Sequence, residues 1–405
     1  MAAADPSDGH APGESVAAAC REAGLVRLVA TSDGDALAAT GVLARALSAV
    51  GIPFQASVRP FPAETLGDGT DTDATVTVGA TGGDVALDGH PASPAAYAAA
   101  RKLAPDAADP TLALAGVLAA DAVPGDDPTT LAEDARAAGC DRRPGVGVPT
   151  ADLVDGLAHT TLAHTPDSGD VEAYRAALAE RDLPTEWTVE PSDDATAAGD
   201  DREDAGRRLA SLLAFDAVRS GEAPPRAADA VERALRPHAG AHCPFATVEG
   251  YADVLDATAR RAPGTGVALA LGHDARDAAL DAWRGHANDA HSAVRAADTS
   301  RYDGCVAVVT RTGPVETVAR LVRDFRSLEP AVLVIGDGEA AAAGDGVDVG
   351  EPLRATAAAG GPSGGQASPD GSDGGTSHAR GETAYARLDT SDPTGLLDAF
   401  REGLA

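Results

Sequence analysis

Two aspartates, Asp33 and Asp35, stand two residues apart on a short stretch, TSDGDAL at 31 to 37. Alternating carboxylates on one tight loop suit a hard divalent cation, because such ions take oxygen ligands. The same pair suits a plainer role, with Asp35 as the N-cap of a following helix, and spacing alone leaves both readings open. A third carboxylate, Asp121, ends the apolar run AGVLAAD at 115 to 121, and His90 stands before Pro91 in LDGHP at 87 to 91. His90 reads as a turn residue or as part of a phosphate site. Gly374 and Gly375 would let a phosphate approach the backbone closely, or are loop filler.

Other chemistries are excluded more firmly. Cys20, Cys140, Cys243 and Cys305 form no CxxC pair, so neither zinc nor a disulfide framework is indicated. His159 and His164 are five apart, which is not a trusted metal spacing. The glycine-rich GDGEAAAAGDG at 336 to 346 lacks the lysine of a phosphate-binding P-loop, so no nucleotide cofactor is expected.

The elements that must position these residues follow from pattern. Leu25 to Ala30 is a short apolar run, read as a buried strand. Leu37, Leu43, Leu47 and Val50 recur at helical spacing, and Gly51 and Pro53 stop that helix. The acidic loop thus lies at the carboxyl end of a strand, where open α/β sheets place their ligands. Strands are expected at 54–60, 74–78 and 85–87, and helices at 94–103 and 110–120. Strands alternating with helices at this spacing imply a parallel sheet. Further on, helices are expected at 171–183, 207–218, 248–261, 276–296, 314–328 and 393–404. Strands are expected at 267–271, 305–310, 331–335 and 384–388. Residues 357–376 are rich in Gly and Ser and too poor in apolar groups to pack.

The chain has 405 residues, enough for two domains. The reading is an α/β protein with an acidic disordered tail over 1–22, a parallel-sheet domain over 23–225 and a smaller α/β domain over 236–405. A cleft between the domains, hinged near 190–235, would hold Asp33, Asp35, His90 and Asp121. The net charge is −31, from 63 acidic and 32 basic residues, with Lys102 the only lysine. This resembles proteins of halophilic archaeal type, in which surface carboxylates maintain hydration while salt screens their repulsion. The acidity therefore does not exclude a nucleic-acid partner. No leader and no membrane-spanning run is read, and a cytoplasmic protein is expected.

Four pieces line up in order with the DHH phosphoesterases. TSDGDAL resembles their first motif, H-x-D-x-D-G/A. VTVGA at 76 to 80 stands where the family has a strand ending in aspartate. LDGHP stands where it has D-H-H, and AGVLAAD resembles its fourth motif. In the second half, PFATVEGYADVLDATARR at 244 to 261 is similar to the segment that opens the DHH-associated C-terminal domain. GGTSHARG at 374 to 381 resembles that domain's G-G-G-H loop. The resemblance covers residues 23 to 405 and lies with the archaeal RecJ-like exonucleases.

The resemblance implies a two-metal site of Mn²⁺ or Mg²⁺, with Asp33, Asp35 and Asp121 carried over as ligands. Thr31, Gly79 and Gly89 stand where a histidine, the bridging aspartate and a second histidine belong. What is left implies one ion at most, unless an aspartate such as Asp84 or Asp88 compensates, since phosphodiester hydrolysis uses two bridged metals. The resemblance also places Arg260, Gly374, Gly375, His378 and Arg380 where the family contacts nucleic acid. An arginine fork suits phosphate; Arg260 and Arg380 read equally well as members of ion pairs. The function implied is a RecJ-like protein of DNA replication or repair that binds single-stranded DNA or RNA. Its exonuclease site would be weak or inactive, and its partners would include accessory proteins of the replicative helicase. Alternatives are an active 5′–3′ single-strand exonuclease and a phosphodiesterase of short oligonucleotides or cyclic dinucleotides.

Overall fold

A computed structural model describes residues 12–62, 73–126, 129–187, 197–219, 223–240, 242–359, 377–388 and 391–404. The first sheet has four parallel strands in the order β2-β1-β3-β4. They are β1 (Leu25–Ala30), β2 (Phe54–Val58), β3 (Asp73–Val78) and β4 (Val85–Leu87). β1 has a strand on each side, pairing Val26 with Phe54 and with Ala74. A central parallel strand is covered on both faces, which is why its sequence is apolar but for Arg27, a half-buried arginine paired with Asp73.

Helix Gly34–Ala49 returns the chain from β1 to β2 and buries Leu37, Leu43 and Leu47. Val50, expected on the same stripe, is the exposed C-cap. The N-cap is Asp33, not Asp35: its Oδ1 accepts a hydrogen bond of 2.8 Å from the N–H of Ala36. Asp35 lies inside the helix and is free to face elsewhere.

Three local readings are corrected. Pro12–Glu22, expected as part of an unstructured tail, is a helix; it lies against helix Ser93–Leu103 and buries Val16, Ala17 and Cys20. The small, polar character of this segment hid a three-residue apolar face. The run at 267–271, expected as a strand, belongs to helix Pro263–Ala270. A short apolar run does not distinguish strand from helix, and Pro263 at the first turn favours the helix. Ala357, placed in the low-complexity segment, is buried at the end of helix Gly350–Ala359.

Asp141–Arg142 (β5) pairs antiparallel with His238–Ala239 (β6). The second sheet has six strands in the order β11-β12-β10-β9-β8-β7. They are β7 (Asp298–Tyr302), β8 (Cys305–Val309), β9 (Ala331–Ile335), β10 (Glu339–Gly344), β11 (Ser377–Arg380) and β12 (Thr383–Arg387). β8 and β9 are parallel, joined through helix Val315–Phe325, and the other neighbours are antiparallel. β10 has the sequence EAAAAG, which carries no strand signal, since alanine is a helix former. Pairing with β9 and β12 on its two sides overrides that propensity.

Helix Val248–Arg261 lies on the C-terminal side of the boundary expected near 225–236, yet Val248, Tyr251 and Leu255 belong to the core of the first sheet. A second core joins Leu209 and Leu213 of helix Ala197–Val218 to Val318, Phe325 and Val334. A third fills the other face of the second sheet around Leu353 and Phe400. The carboxyl ends of β1 and β3 face the β11–β12 hairpin across a cavity of about 310 Å³. Among the described residues, no helix is long and apolar enough to cross a membrane.

Candidate functional site

The loop after β1 is fixed first by its own backbone. Thr31 donates its N–H to the carbonyl of Val78 (3.0 Å), which extends the β1–β3 pairing into the loop. Its hydroxyl donates to Asp33 Oδ2 at 2.6 Å. Asp35, with a side chain only 1% exposed, points at the start of helix Ser93–Leu103. It accepts from the N–H of Ala92 (2.7 Å), the N–H of Ser93 (3.0 Å) and the hydroxyl of Ser93 (2.5 Å). A carboxylate at a helix N-terminus meets unpaired N–H donors and the positive end of the dipole.

The guanidinium of Arg380, from β11, enters this loop. Its Nη1 donates to Thr31 Oγ1 and to Asp33 Oδ2, both at 2.8 Å. Its Nη2 donates to Asp35 Oδ2 at 2.9 Å and to the carbonyl of Gly89 at 3.4 Å. Gly79 makes the space. It has φ 80°, and a Cβ there would lie 1.8 Å from Arg380 Nη1 and 2.1 Å from Thr31 Oγ1. The residue standing where the family's bridging aspartate belongs is thus the one that lets the arginine in.

The charges respond accordingly. Burial pushes the Asp33 carboxyl up, but Arg380, the Thr31 hydroxyl and the Ala36 N–H outweigh it and hold the group at about 2. Burial lifts Asp35 above the usual carboxylate range; Arg380 opposes the rise and the charge of Asp33 adds to it. Burial weakens the proton affinity of Arg380, and the two aspartates more than restore it.

Asp121 is held differently. It follows helix Pro110–Ala119 with φ 55° and accepts from Arg233 Nη1 at 3.0 Å. Arg233 also donates to Asp324 at 2.6 Å. Arg260 bonds to Asp256, one turn earlier on its own helix, and to Glu316 at 3.1 Å. His378 lies beside Phe61 and Tyr385, and burial lowers its pKa. His90 is exposed, with its ring against Gly381. The cavity brings together Asp33, His90, Asp121, Arg260, His378 and Arg380, while Asp35 lies behind Arg380. Gly374 and Gly375 lie outside the described residues.

The fit of a divalent ion can be tested on these contacts. Both oxygens of Asp33 and both of Asp35 accept hydrogen bonds, and a guanidinium already supplies the positive charge. Asp121 is paired with Arg233. Among the described residues, no three His, Cys, Asp or Glu side chains are grouped to hold a metal. Asp84 and Asp88 do not compensate: neither lines the cavity, and the Asp84 carboxylate accepts from the N–H of Thr75 at 2.7 Å. The side chains as arranged do not fit the ion that the resemblance implied.

Several residues of the site are not singled out by the sequence: Glu316, Arg320 and Arg323 on helix Val315–Phe325, with Asp256 and Glu382, line the cavity, and Arg233 reaches it through Asp121. A signal existed for the first three. At spacings of four and three they share one helix face, opposite the apolar Val318, Val322 and Phe325. Arg320 donates Nη2 to the carbonyl of Thr161 at 3.0 Å, and no carboxylate bonds it among the described residues. Burial, then the charge of Arg233, lowers its pKa. Three buried nitrogens of the cavity wall have no partner among the described residues: Arg320 Nη1, Arg380 Nε and His378 Nδ1.

Residues 297–402 match the family model described as the C-terminal domain of the uncharacterized protein rrnAC1427. The whole chain is 48% identical to the uncharacterized protein rrnAC1427 of Haloarcula marismortui, over 99% of this chain and 98% of that protein. Among solved structures it is similar to CDC45 from Entamoeba histolytica. The TM-score is 0.57 at 8% identity, over 96% of this chain and 97% of that one. It is also similar to RecJ in complex with Mn²⁺ from Thermus thermophilus, with TM-score 0.49 at 13% identity, over 99% of this chain and 55% of that one. The likeness to CDC45 shows a shared two-sheet fold.

Proposed function

The chain belongs to the family of the uncharacterized protein rrnAC1427, and from that premise we propose a RecJ-like protein of the DHH superfamily that holds single-stranded nucleic acid without hydrolysing it, in DNA replication or repair. The observation that carries the proposal is the pairing of every carried-over carboxylate with an arginine: Asp33 and Asp35 with Arg380, Asp121 with Arg233. In-line attack on a phosphodiester needs an activated water and a neutralised leaving oxygen, which two metals supply. Here one oxygen of each carboxylate already accepts from a guanidinium group.

Binding is supported by two guanidinium nitrogens of the cavity wall, Arg320 Nη1 and Arg380 Nε, that have no partner among the described residues. A buried donor without an acceptor is costly, and a phosphate oxygen would relieve it. Arg320 is the arginine of choice for that contact. Arg260 and Arg380 each already meet two carboxylates. A phosphate contact positions a strand without reading its sequence.

The test uses the full chain in molar KCl, with 5′-labelled single strands, for Mn²⁺-dependent hydrolysis and for binding by fluorescence anisotropy. The expected result is binding without cleavage. Arg320→Ala should weaken affinity about tenfold, equally for all sequences, and Arg260→Ala by less. Robust Mn²⁺-dependent cleavage, lost in Asp35→Ala, would overturn the non-hydrolytic reading. Absence of binding at any salt would overturn the nucleic-acid reading. It would favour a scaffold beside replicative-helicase accessory proteins.

A further inference from the structure

The guanidinium of Arg380 sits among four oxygens: Thr31 Oγ1, Asp33 Oδ2, Asp35 Oδ2 and the carbonyl of Gly89. An all-oxygen set with two carboxylates is what a hard divalent cation takes. The group filling it is also a cation, but one tied to the chain, 345 residues from Asp35 and on the opposite sheet. Its side chain is 7% exposed, so water and salt do not substitute for it. Gly79 is cut to its shape, because any side chain there would collide with Nη1.

We propose that Arg380 is a tethered counter-ion: it occupies a cation site on the first sheet, excludes divalent metal from it, and fastens the β11–β12 hairpin across the cavity. The proposal concerns cation binding alone and stands whether or not the cavity holds nucleic acid. It also changes what would be needed to recover a metal centre. Thr31→His, Gly79→Asp and Gly89→His would not suffice, since the new aspartate at 79 would meet the guanidinium; Arg380 would have to be removed as well.

The test is a titration with Mn²⁺ alone, followed by calorimetry and by the electron paramagnetic resonance of free Mn²⁺. Wild type should bind no Mn²⁺ at millimolar concentration. Arg380→Ala should bind one equivalent at least tenfold more tightly, and guanidinium ion at tens of millimolar should displace it. Asp33→Asn in the Arg380→Ala background should abolish that binding. If Arg380→Ala does not fold alone, Mn²⁺ or guanidinium ion should restore its circular dichroism. Gly79→Ala should lower the unfolding midpoint more in wild type than in Arg380→Ala, where the Thr31 hydroxyl and the positive φ still oppose the methyl but the guanidinium no longer does. Wild-type binding as tight as the variant's, and lost in Asp33→Asn, would overturn the proposal. So would a folded Arg380→Ala that takes up no Mn²⁺, or an unfolded one that neither cation restores.

Discussion

At one wall of the cavity, Asp35 is 1% exposed and its arginine partner 7%; at the other, Asp121 is 42% exposed and its partner Arg233 17%. Both centres pair carboxylate with guanidinium, and the difference in burial separates their energetics. Around Asp33 and Asp35 each oxygen has a protein donor, and the arginine comes from the opposite sheet. Removing one member strands the rest in a low-dielectric place, where a lone charge is costly. Around Asp121 water can replace the lost partner. Of the two, only the buried centre can act as a fastening between the sheets.

The largest effect should come from Asp35→Ala. It leaves Arg380 with one carboxylate and strands the N–H groups of Ala92 and Ser93, at a cost of about 3–5 kcal/mol. Urea unfolding in molar KCl measures it; a loss under about 1 kcal/mol would put this centre in the class of exposed pairs. Next comes Gly79→Ala, expected to cost about 1–3 kcal/mol because the added methyl overpacks a site with no room. An unchanged urea midpoint would show that Arg380 is not held where Gly79 admits it.

A third test is acid titration. The folded pKa of Asp33 is about 2 against an ordinary 3.8. Its stabilisation is therefore complete above the ordinary value and is lost as pH falls from about 4 through 2, on the order of 2 kcal/mol. Asp33→Asn should flatten the stability curve in that window and lower it by a constant amount above, leaving the slope there unchanged. Equal slopes for variant and wild type would mean that Arg380 does not hold Asp33 ionised. The smallest effect is expected for Asp121→Asn: within about 1 kcal/mol at low salt and vanishing in molar salt. A salt-independent loss would move Asp121 into the buried class.

Much of the first sheet was legible from short-range pattern. The run Leu25–Ala30, the helical stripe of Leu37, Leu43 and Leu47, and the acidic loop between them stand where the residues put them. The errors fell where local signals compete. Residues 267–271 read as a strand because a short apolar run has no decisive period, and β10 is missed because four alanines carry no strand signal. The arginines of the site were legible as types and not as partners. Arg260 and Arg380 were read both as phosphate contacts and as ion-pair members; the structure supplies each with two carboxylates. Arg320, the one that bonds no carboxylate among the described residues, drew no attention in sequence because its neighbours in the chain are ordinary.

The sequence by itself determined that Asp33 and Asp35 would lie on a loop at the carboxyl end of a strand. Periodicity, capping and chain reversal act over a few residues and are written there. It also determined that Thr31, Gly79 and Gly89 lack the groups a metal pair would need. Only the tertiary structure decided which cation those carboxylates meet. The answer lies 345 residues along the chain, on a strand whose approach depends on how two sheets pack. Electrostatic pairing depends on distance in space and on desolvation, and neither is encoded in local spacing.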